Sequence, residues 1–406
     1  MITNFSLNDN TQEEILKHLK ITSHLLSKVG TKLSNKPKES QIYAMPDLGI
    51  AQNGTRMLGG FYTGACYIWD SDVPFIPVDA TVNVCGTAVY RLKRKISPEE
   101  FKQRLDGVME NRETYLQYVK TRLPSQILDS IDVDDKSKFF WNYNVGNHFV
   151  ILAEQNEENS ELPAGQYMIV HASAIELKKD NLKYGLYPVP TNWYYDDIQT
   201  EYDTESNRYL RYISGEKAVK FYQLEQLLQI INKDRNRYFC KKVLGDLADK
   251  EIINMSHYGM PANNAVCVGC QWEQKDFTLL TAPGNDIFLV HPDISSNNTI
   301  QLGDKSITLT PHGCGVRLNN PTDSINYCKD GITIGGKYFR SGQSIDIGKD
   351  VSVRTLNMSS EQLKEHIDAI LKKCPGKIYG QMHQLFARTK HGDFYYSKRE
   401  NGIGER

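Results

Sequence analysis

The chain has 406 residues and carries 48 lysines and arginines against 49 aspartates and glutamates, a formal net charge of −1. This balance excludes a globally basic nucleic-acid-binding protein, although a local basic groove would not show in the sum. The hydrophobic content of 40% and the charged content of 24% are typical of a globular protein and exclude general disorder. The length is compatible with two or three domains, or with one large α/β or α+β domain that carries insertions.

The cysteines and the N-terminal segment indicate a protein of the reducing cytoplasm. The eight cysteines are scattered, and the N-terminal segment lacks the basic start and apolar stretch of a secretory signal. No apolar run approaches the ~20 residues that are needed to span a bilayer. We therefore expect cytoplasmic localisation and no membrane partner.

The first part of the chain begins with a helix and continues with strands. Apolar residues at helical spacing predict a helix over residues 11–29, and a charged loop with glycine and proline ends it. Residues 42–92 are rich in Gly, Tyr, Val and short apolar runs, which predicts strands and turns. Ser97 and Pro98, followed by two glutamates, then predict the N-cap and first turn of a second helix.

The remainder alternates strands with helices. A long helix is predicted over about residues 217–249, with apolar residues on one side and a basic outer surface that includes Arg235 and Lys241. Residues 331–348 predict hairpins, and residues 359–371 predict a last helix. Strand-like runs are expected at residues 149–153, 167–170, 265–268, 287–290 and 307–309.

Several histidines lie where strand-like runs begin or end, a position where functional groups gather in many folds. Five of the ten do so: His148, His171, His257, His291 and His312. A single histidine at a strand end is more often a hydrogen-bonded structural residue than a ligand. Several together with Cys85, which lies in another strand-like run, would make a site for a divalent metal such as Mn, Fe, Co or Zn. The alternative for Cys85 is a small buried hydrophobic residue.

Two glycine-containing motifs are candidates for further chemistry. In "PHGCG", Gly313 and Gly315 would let backbone N–H groups approach an anion, and His312 is either a nucleophile toward phosphorus or part of a tight turn. In "CVGC", Cys267 and Cys270 have the spacing of a zinc knuckle or redox pair. No second such pair exists and the residues alternate as in a strand, so this motif is a weak indication.

Six motifs, taken in order over roughly residues 44–317, resemble those of the RtcB-type RNA-splicing ligases. "AMPDLGIAQNGTRMLGG" is similar to the family's "MPD-x-H-x-G-Y-G-x-P-I-G-G", and "VDATVNVCG" is similar to "VD-I-x-C-G". "GNHF" matches letter for letter. "YMIVHAS", "NMSHYG" and "PHGCG" are similar to "M-I-H-S-G-S-R", "D-x-x-H-N" and "C-H-G-A-G-R". Each motif alone is weakly specific, and their common order carries the resemblance.

The resemblance implies roles for individual residues. The manganese ligands would be Asp79, Cys85, His148, His171 and His257. The nucleotide would be bound by Asn147, Phe149, His312, Gly313, Gly315 and Lys398, the last in the place of the family's C-terminal lysine. His312 would also be the catalytic residue, the nucleophile that becomes guanylylated.

The family's reaction uses GTP to form a histidine-nucleotide phosphoramidate, transfers the nucleotide to an RNA 3'-phosphate, and joins that end to a 5'-hydroxyl. The resemblance thus implies a metal-dependent RNA ligase, with one or two Mn²⁺ ions and GTP or another nucleoside triphosphate as cofactors. Its partners would be RNA ends, those of tRNA among them. The implied fold is a single α/β (α+β) domain over residues 1–406, with mixed sheets, flanking helices and a central metal-binding cleft. The motif-bearing core would span about residues 42–318, followed by a C-terminal part over 319–406.

The chain also departs from the family pattern. Asp79 lies farther along the chain from Cys85 than the family's aspartate lies from its cysteine, so both reach one metal only if the intervening residues bulge. Ile151 stands where the family has an acidic residue that faces the guanine edge. Other family residues that are absent are the histidine at Leu48, the arginine at Ile175, the asparagine at Tyr258 and the "H-R-K-G-A" segment.

These departures leave two alternatives to ligation. One is a metal-dependent phosphodiesterase or nuclease that uses a metal-bound water. The other is a catalytically degenerate protein that binds RNA ends. For RNA binding we expect a local basic stripe, formed either by Arg91, Lys93 and Arg94 or by the helix that bears Arg235 and Lys241.

Overall fold

The computed structural model describes residues 1–110, 121, 143, 145–156, 161–174, 185–206, 208–320, 324–328, 330–345, 349–353 and 358–396. Ile175, Lys398 and the later part of the helix predicted from Ser97 lie outside these residues. No helix in the described part of the chain has the length and apolar character that a membrane crossing requires.

The described residues contain five α-helices: α1 (Asn10–Ser34), α2 (Gly54–Gly59), α3 (Pro98–Glu110), α4 (Glu216–Leu244) and α5 (Ser360–Lys373). The helices predicted near residues 11, 97, 217 and 359 are confirmed, and α2 lies inside the region predicted as strands and turns. Asp9 caps α1 by accepting a hydrogen bond from the backbone N of Gln12. The predicted long helix ends five residues early, at Leu244, because Gly245 has a φ of 55° and a strand begins at Ala248.

Twenty-three strands are present in the described residues. They are β1 (Ile2–Asn4), β2 (Ser40–Gly49), β3 (Thr63–Trp69), β4 (Phe75–Pro77), β5 (Gly86–Leu92), β6 (Phe149–Gln155), β7 (Gly165–Ala172), β8 (Gln199–Asp203), β9 (Arg208–Ser214), β10 (Ala248–Ser256), β11 (Tyr258–Ala262), β12 (Ala265–Val268), β13 (Cys270–Gln271), β14 (Phe277–Leu279), β15 (Ile287–Pro292), β16 (Thr299–Leu302), β17 (Lys305–Thr308), β18 (Thr310–Pro311), β19 (Ile325–Tyr327), β20 (Gly331–Ile334), β21 (Lys337–Arg340), β22 (Gly376–Thr389) and β23 (Gly392–Tyr395). The strand-like runs identified in the sequence and the hairpin at residues 331–340 are thereby confirmed.

Two larger sheets organise the molecule. One has the order β1-β2-β3-β12-β11, and the other has the order β10-β5-β7-β6-β22-β15-β14, with β23 paired to β22. Among the paired strands described, only β1 and β2 run parallel. Segregated helices and antiparallel sheets make this an α+β fold. Strand β22 lies between β6 and β15, so the C-terminal part contributes a central strand of the larger sheet.

Helix α4 packs on the second sheet and on the edge of the first, against β10, β5, β11 and β7. Its buried face carries apolar residues such as Phe221 and Phe239, but also fully buried polar ones. Arg235 is one of these, with no exposed surface, and its Nη2 donates to the carbonyl of Ser173 and to Oδ1 of Asn232. The prediction that Arg235 belongs to an exposed basic surface is therefore wrong, whereas Lys241 is exposed.

Candidate metal centre

Three of the residues proposed as metal ligands form a compact buried group. The ligand atoms of Cys85, His171 and His257 all lie within 4.8 Å of one another. The Nε2 atoms of His171 and His257 are 3.1 Å apart. One thiol and two imidazoles in contact are a donor set that suits a borderline divalent metal, and no other such group of three exists among the described residues.

The pairing of neighbouring strands brings these ligands together. Cys85 directly precedes β5, and His171 near the end of β7 is the cross-strand partner of Thr87. His257 lies between β10 and β11, and its backbone N donates to the carbonyl of Cys85 at 3.0 Å. The ligands are far apart in sequence, but antiparallel pairing places all three at the same edge of the structure.

A backbone contact sets the tautomer of His171. Its Nδ1 lies 3.0 Å from the carbonyl oxygen of Asn147. A carbonyl can only accept a hydrogen bond, so Nδ1 carries the hydrogen and Nε2 of the neutral ring presents its lone pair toward His257. Asn147 itself is exposed, and the ring of Phe149 is half-buried with its centroid 5.1 Å from that of His171. These two of the six residues proposed for nucleotide binding thus lie beside the metal group.

His148 is the fourth candidate ligand at this place. It is buried, and its Nε2 is 3.9 Å from Sγ of Cys85. A turn positions it, since its backbone N donates to the carbonyl of Val145 and Gly146 has a φ of 65°. The ring centroids of His148 and His171 are 5.4 Å apart.

Burial keeps His257 in the form that a metal requires. Its pKa is well below the usual value of 6.5, first because burial disfavours the charged ring and then because His171, His312 and His148 are close. The ring is therefore neutral at neutral pH, with a lone pair available to a cation.

His312 stands next to this group and is held by a buried carboxylate. Its ring centroid is 5.0 Å from that of His257. Oδ2 of Asp47, a residue without exposed surface, is 2.7 Å from Nδ1 of His312 and accepts from the backbone N atoms of His312 and Gly313 at 3.0 and 3.2 Å. A carboxylate oxygen accepts this hydrogen bond from Nδ1, so in the neutral ring of His312 the lone pair is on Nε2.

The glycines of "PHGCG" allow the backbone to approach its neighbours closely, Gly315 at Asp47 and Gly313 at Leu280. Gly315 has a φ of 72°, and a Cβ there would lie 2.4 Å from the carbonyl oxygen of Asp47. A Cβ on Gly313 would lie 2.7 Å from the carbonyl oxygen of Leu280. The backbone N–H groups of His312 and Gly313 donate to the carboxylate of Asp47, and binding of a nucleotide phosphate by this segment stays a prediction.

Asp79 does not join the metal group. It is 1% exposed, and Nε of Arg211 lies 3.1 and 3.0 Å from its two carboxylate oxygens, while Nη2 also contacts Oδ1. The chain between Asp79 and Cys85 does bulge, with a short 3-10 turn and positive φ values at Thr81 (42°) and Val84 (48°). With this backbone path, the carboxylate of Asp79 binds Arg211, whereas Cys85 lies with His171 and His257.

The cysteines of "CVGC" are buried and lie in strands, as the alternation predicted, but in two of them, Cys267 in β12 and Cys270 in β13. Cys267 in β12 pairs across the sheet with Cys66, and burial raises its pKa well above the usual value. Such a thiol is a poor nucleophile. Between the two cysteines, Gly269 has a φ of 61°, and a Cβ there would lie 2.8 Å from Cε1 of His312. This segment therefore packs behind His312.

Asp47 is the functional candidate that sequence reasoning missed. It belongs to "AMPDLGI", where an aspartate stands among apolar residues of a strand that is buried over residues 44–50. A lone acid in such a run requires hydrogen-bond donors, which was the available signal. The donors come from His312 and Gly313, 265 and 266 residues away.

No model of a known protein family matches the sequence, and no curated protein matches it.

Proposed function

We propose that the protein is a metal-dependent RNA ligase that joins RNA 3'-phosphate or 2',3'-cyclic phosphate ends to 5'-hydroxyl ends through a histidine-nucleotide intermediate. The observation that carries the proposal is the position of His312 beside the group formed by Cys85, His171 and His257. A nucleophile for phosphorus and a set of cation ligands are thus adjacent, and the same residues carry the resemblance to the RtcB-type ligases.

Cys85, His171 and His257 would hold the metal ion, with His148 close enough to contribute through a small side-chain movement. The thiol and imidazoles are typical ligands of Zn²⁺, whereas Mn²⁺, the ion that the resemblance implies, more often has oxygen ligands. The ion would neutralise phosphate charge when bound. We propose one ion rather than two, because both carboxylate oxygens of Asp79 already bind Arg211.

His312 would attack the α-phosphorus of GTP through Nε2, forming a P–N bond as the bond to the bridging oxygen breaks and pyrophosphate leaves. The ring becomes cationic in this step. The carboxylate of Asp47 accepts the hydrogen bond from Nδ1 and would stabilise that charge, so Asp47 acts through His312 as a positioning residue.

A metal-dependent phosphodiesterase is the second candidate. Three protein ligands with room for a water molecule are typical of catalytic zinc sites, and the group of Cys85, His171 and His257 has that number of ligands. A hydrolase of this kind forms no covalent intermediate with a nucleotide, so covalent labelling by a nucleotide distinguishes the two functions.

The test is covalent labelling with α-labelled GTP in the presence of Mn²⁺. We expect the label on wild-type protein, its loss in His312→Ala, and a lower metal content by elemental analysis in Cys85→Ala. Absence of label together with cleavage of RNA phosphodiesters would favour the hydrolase. Protein that contains no metal and whose melting temperature does not respond to Mn²⁺ or Zn²⁺ would contradict both candidates.

A further inference from the structure

One side chain of α4 connects two of the segments that bear metal ligands. Asn232 is 1% exposed, and its Nδ2 donates to the carbonyl of Val84 at 2.8 Å and to the carbonyl of Ala172 at 3.2 Å. Val84 is the residue before Cys85, and Ala172 is the residue after His171. A single amide group therefore bridges the backbones on which a thiol and an imidazole of the metal group are mounted.

This bridge lies at the end of the regular pairing between β5 and β7. The ladder between β5 and β7 extends from Arg91 and Tyr167 to Gly86 and Ala172. Val84 lies outside it and has a φ of 48°, a left-handed conformation that is strained for a β-branched residue. Such a conformation persists only where surrounding contacts enforce it, and the bond from Asn232 to the carbonyl of Val84 is one such contact.

The orientation of the Asn232 amide follows from its partners. Carbonyl oxygens only accept hydrogen bonds, so the NH₂ group must face Val84 and Ala172. On the other side, Oδ1 accepts from the guanidinium of Arg235, which only donates and which also binds the carbonyl of Ser173. Arg235 thus fixes the orientation of the Asn232 amide. A flipped amide would turn its NH₂ group toward the guanidinium of Arg235, which only donates.

We propose that Asn232 is a positioning residue of the metal centre, which fixes the separation of Cys85 from His171 by holding the carbonyls of Val84 and Ala172. The inference rests on the proposed metal-binding function. Residues that orient metal ligands typically change metal affinity by about 10 to 100-fold when they are replaced. Asn232 would act on the ligands through their backbones, without touching the metal.

The test compares the Co²⁺ affinity of three variants with that of the wild type. The signal measured in each titration is the absorbance of the thiolate-to-cobalt transition. Asn232→Ala removes the whole amide. Asn232→Asp keeps its size and gives Arg235 a charged partner, but removes the donor to both carbonyls. A nearby negative charge attracts a cation, so a weaker affinity in Asn232→Asp reports lost positioning rather than electrostatics. Asn298→Ala is the matched control, since Asn298 is also fully buried and donates to a carbonyl, that of Leu309.

We expect Co²⁺ to bind about 10 to 100-fold more weakly to both Asn232 variants, and within twofold of wild type to Asn298→Ala. A folded Asn232→Asp variant with wild-type affinity would overturn the inference even if its melting temperature fell, because that outcome indicates a structural role alone. Wild-type protein that binds no Co²⁺ through Cys85 would remove the metal centre itself. The two failures are therefore distinguishable.

Discussion

Replacement of Asp47 by asparagine should slow the labelling of His312 without unfolding the protein. Asp47 is completely buried, and its Oδ2 accepts three hydrogen bonds, from Nδ1 and backbone N of His312 and from backbone N of Gly313. An asparagine can place its carbonyl oxygen at the same point and still accept from all three donors. The substitution therefore keeps the loop and the tautomer of His312 and removes mainly the negative charge.

The size of the effect follows from the charge that develops on the ring. With Nδ1 of His312 at 2.7 Å from Oδ2 of Asp47, the centres of the imidazolium and carboxylate charges are about 4 Å apart. Their interaction is worth about 4 kcal/mol at an effective dielectric constant of about 20. A neutral hydrogen bond from Nδ1 to the amide retains about 1 kcal/mol. The net loss of about 3 kcal/mol corresponds to a rate roughly 100-fold lower.

Single-turnover labelling with α-labelled GTP and Mn²⁺ measures this rate directly. Wild-type protein and Asp47→Asn should reach the same final extent of labelling at different rates, and thermal melting should confirm that the variant is folded. Asp276→Asn is a suitable control, because Oδ1 of Asp276 also lies 2.6 Å from Nδ1 of a histidine, His291, which has no role in the proposed reaction. An Asp47→Asn rate within threefold of wild type would refute the assignment of Asp47 as the group that stabilises the ring.

Further predictions concern pH, RNA and the nucleotide base. Burial, followed by the charges of Arg208 and Lys17, lowers the pKa of His18 to about 3. The unfolded chain takes up this proton near pH 6.5 and the folded protein does not, so the free energy of unfolding should fall by up to about 1.4 kcal/mol per pH unit below 6.5. Urea unfolding of His18→Gln should show a flatter pH dependence. Charge reversal at exposed Lys93 and Lys241 should weaken RNA binding and reduce its salt dependence, and unchanged affinity would place RNA elsewhere. Ile151 is buried and cannot accept from guanine, so labelling should favour GTP over ATP far less than the roughly 10 to 150-fold that one charged hydrogen bond provides; exclusive labelling by GTP would contradict this.

The candidate metal group could be predicted in part from the sequence. Local pattern placed Cys85 in a strand-like run and five histidines at the ends of such runs, the resemblance to the RtcB-type ligases selected ligands among them, and the structure shows that Cys85, His171 and His257 meet. The partners of the two aspartates could not be predicted in the same way. Arg211 is 132 residues from Asp79, and His312 is 265 residues from Asp47. Such pairs depend on tertiary packing, which the periodicity and spacing of residues in the sequence do not reveal.

The wrong assignment of Arg235 has a physical cause that bears on the site. Helical periodicity assigns charged residues to the exposed face, since a buried charge without partners is costly. That rule fails where a helix packs over strand ends, because carbonyls at and beyond the last ladder pair still require donors. Asn232 and Arg235 supply them to Val84, Ala172 and Ser173.

The same reasoning connects the polar face of α4 with the location of the metal group. A regular sheet satisfies its own backbone groups and can be covered by apolar side chains alone, as Phe221 and Phe239 do on this helix. Cys85, His171 and His257 meet at the end of the ladder between β5 and β7, and there the carbonyls of Val84 and Ala172 accept from the buried amide of Asn232 on the covering helix. Conflicts between local pattern and burial therefore concentrate at functional sites. In this chain the conflict on α4 at Asn232 and Arg235 lies directly behind Cys85 and His171, the place that the histidines indicated independently.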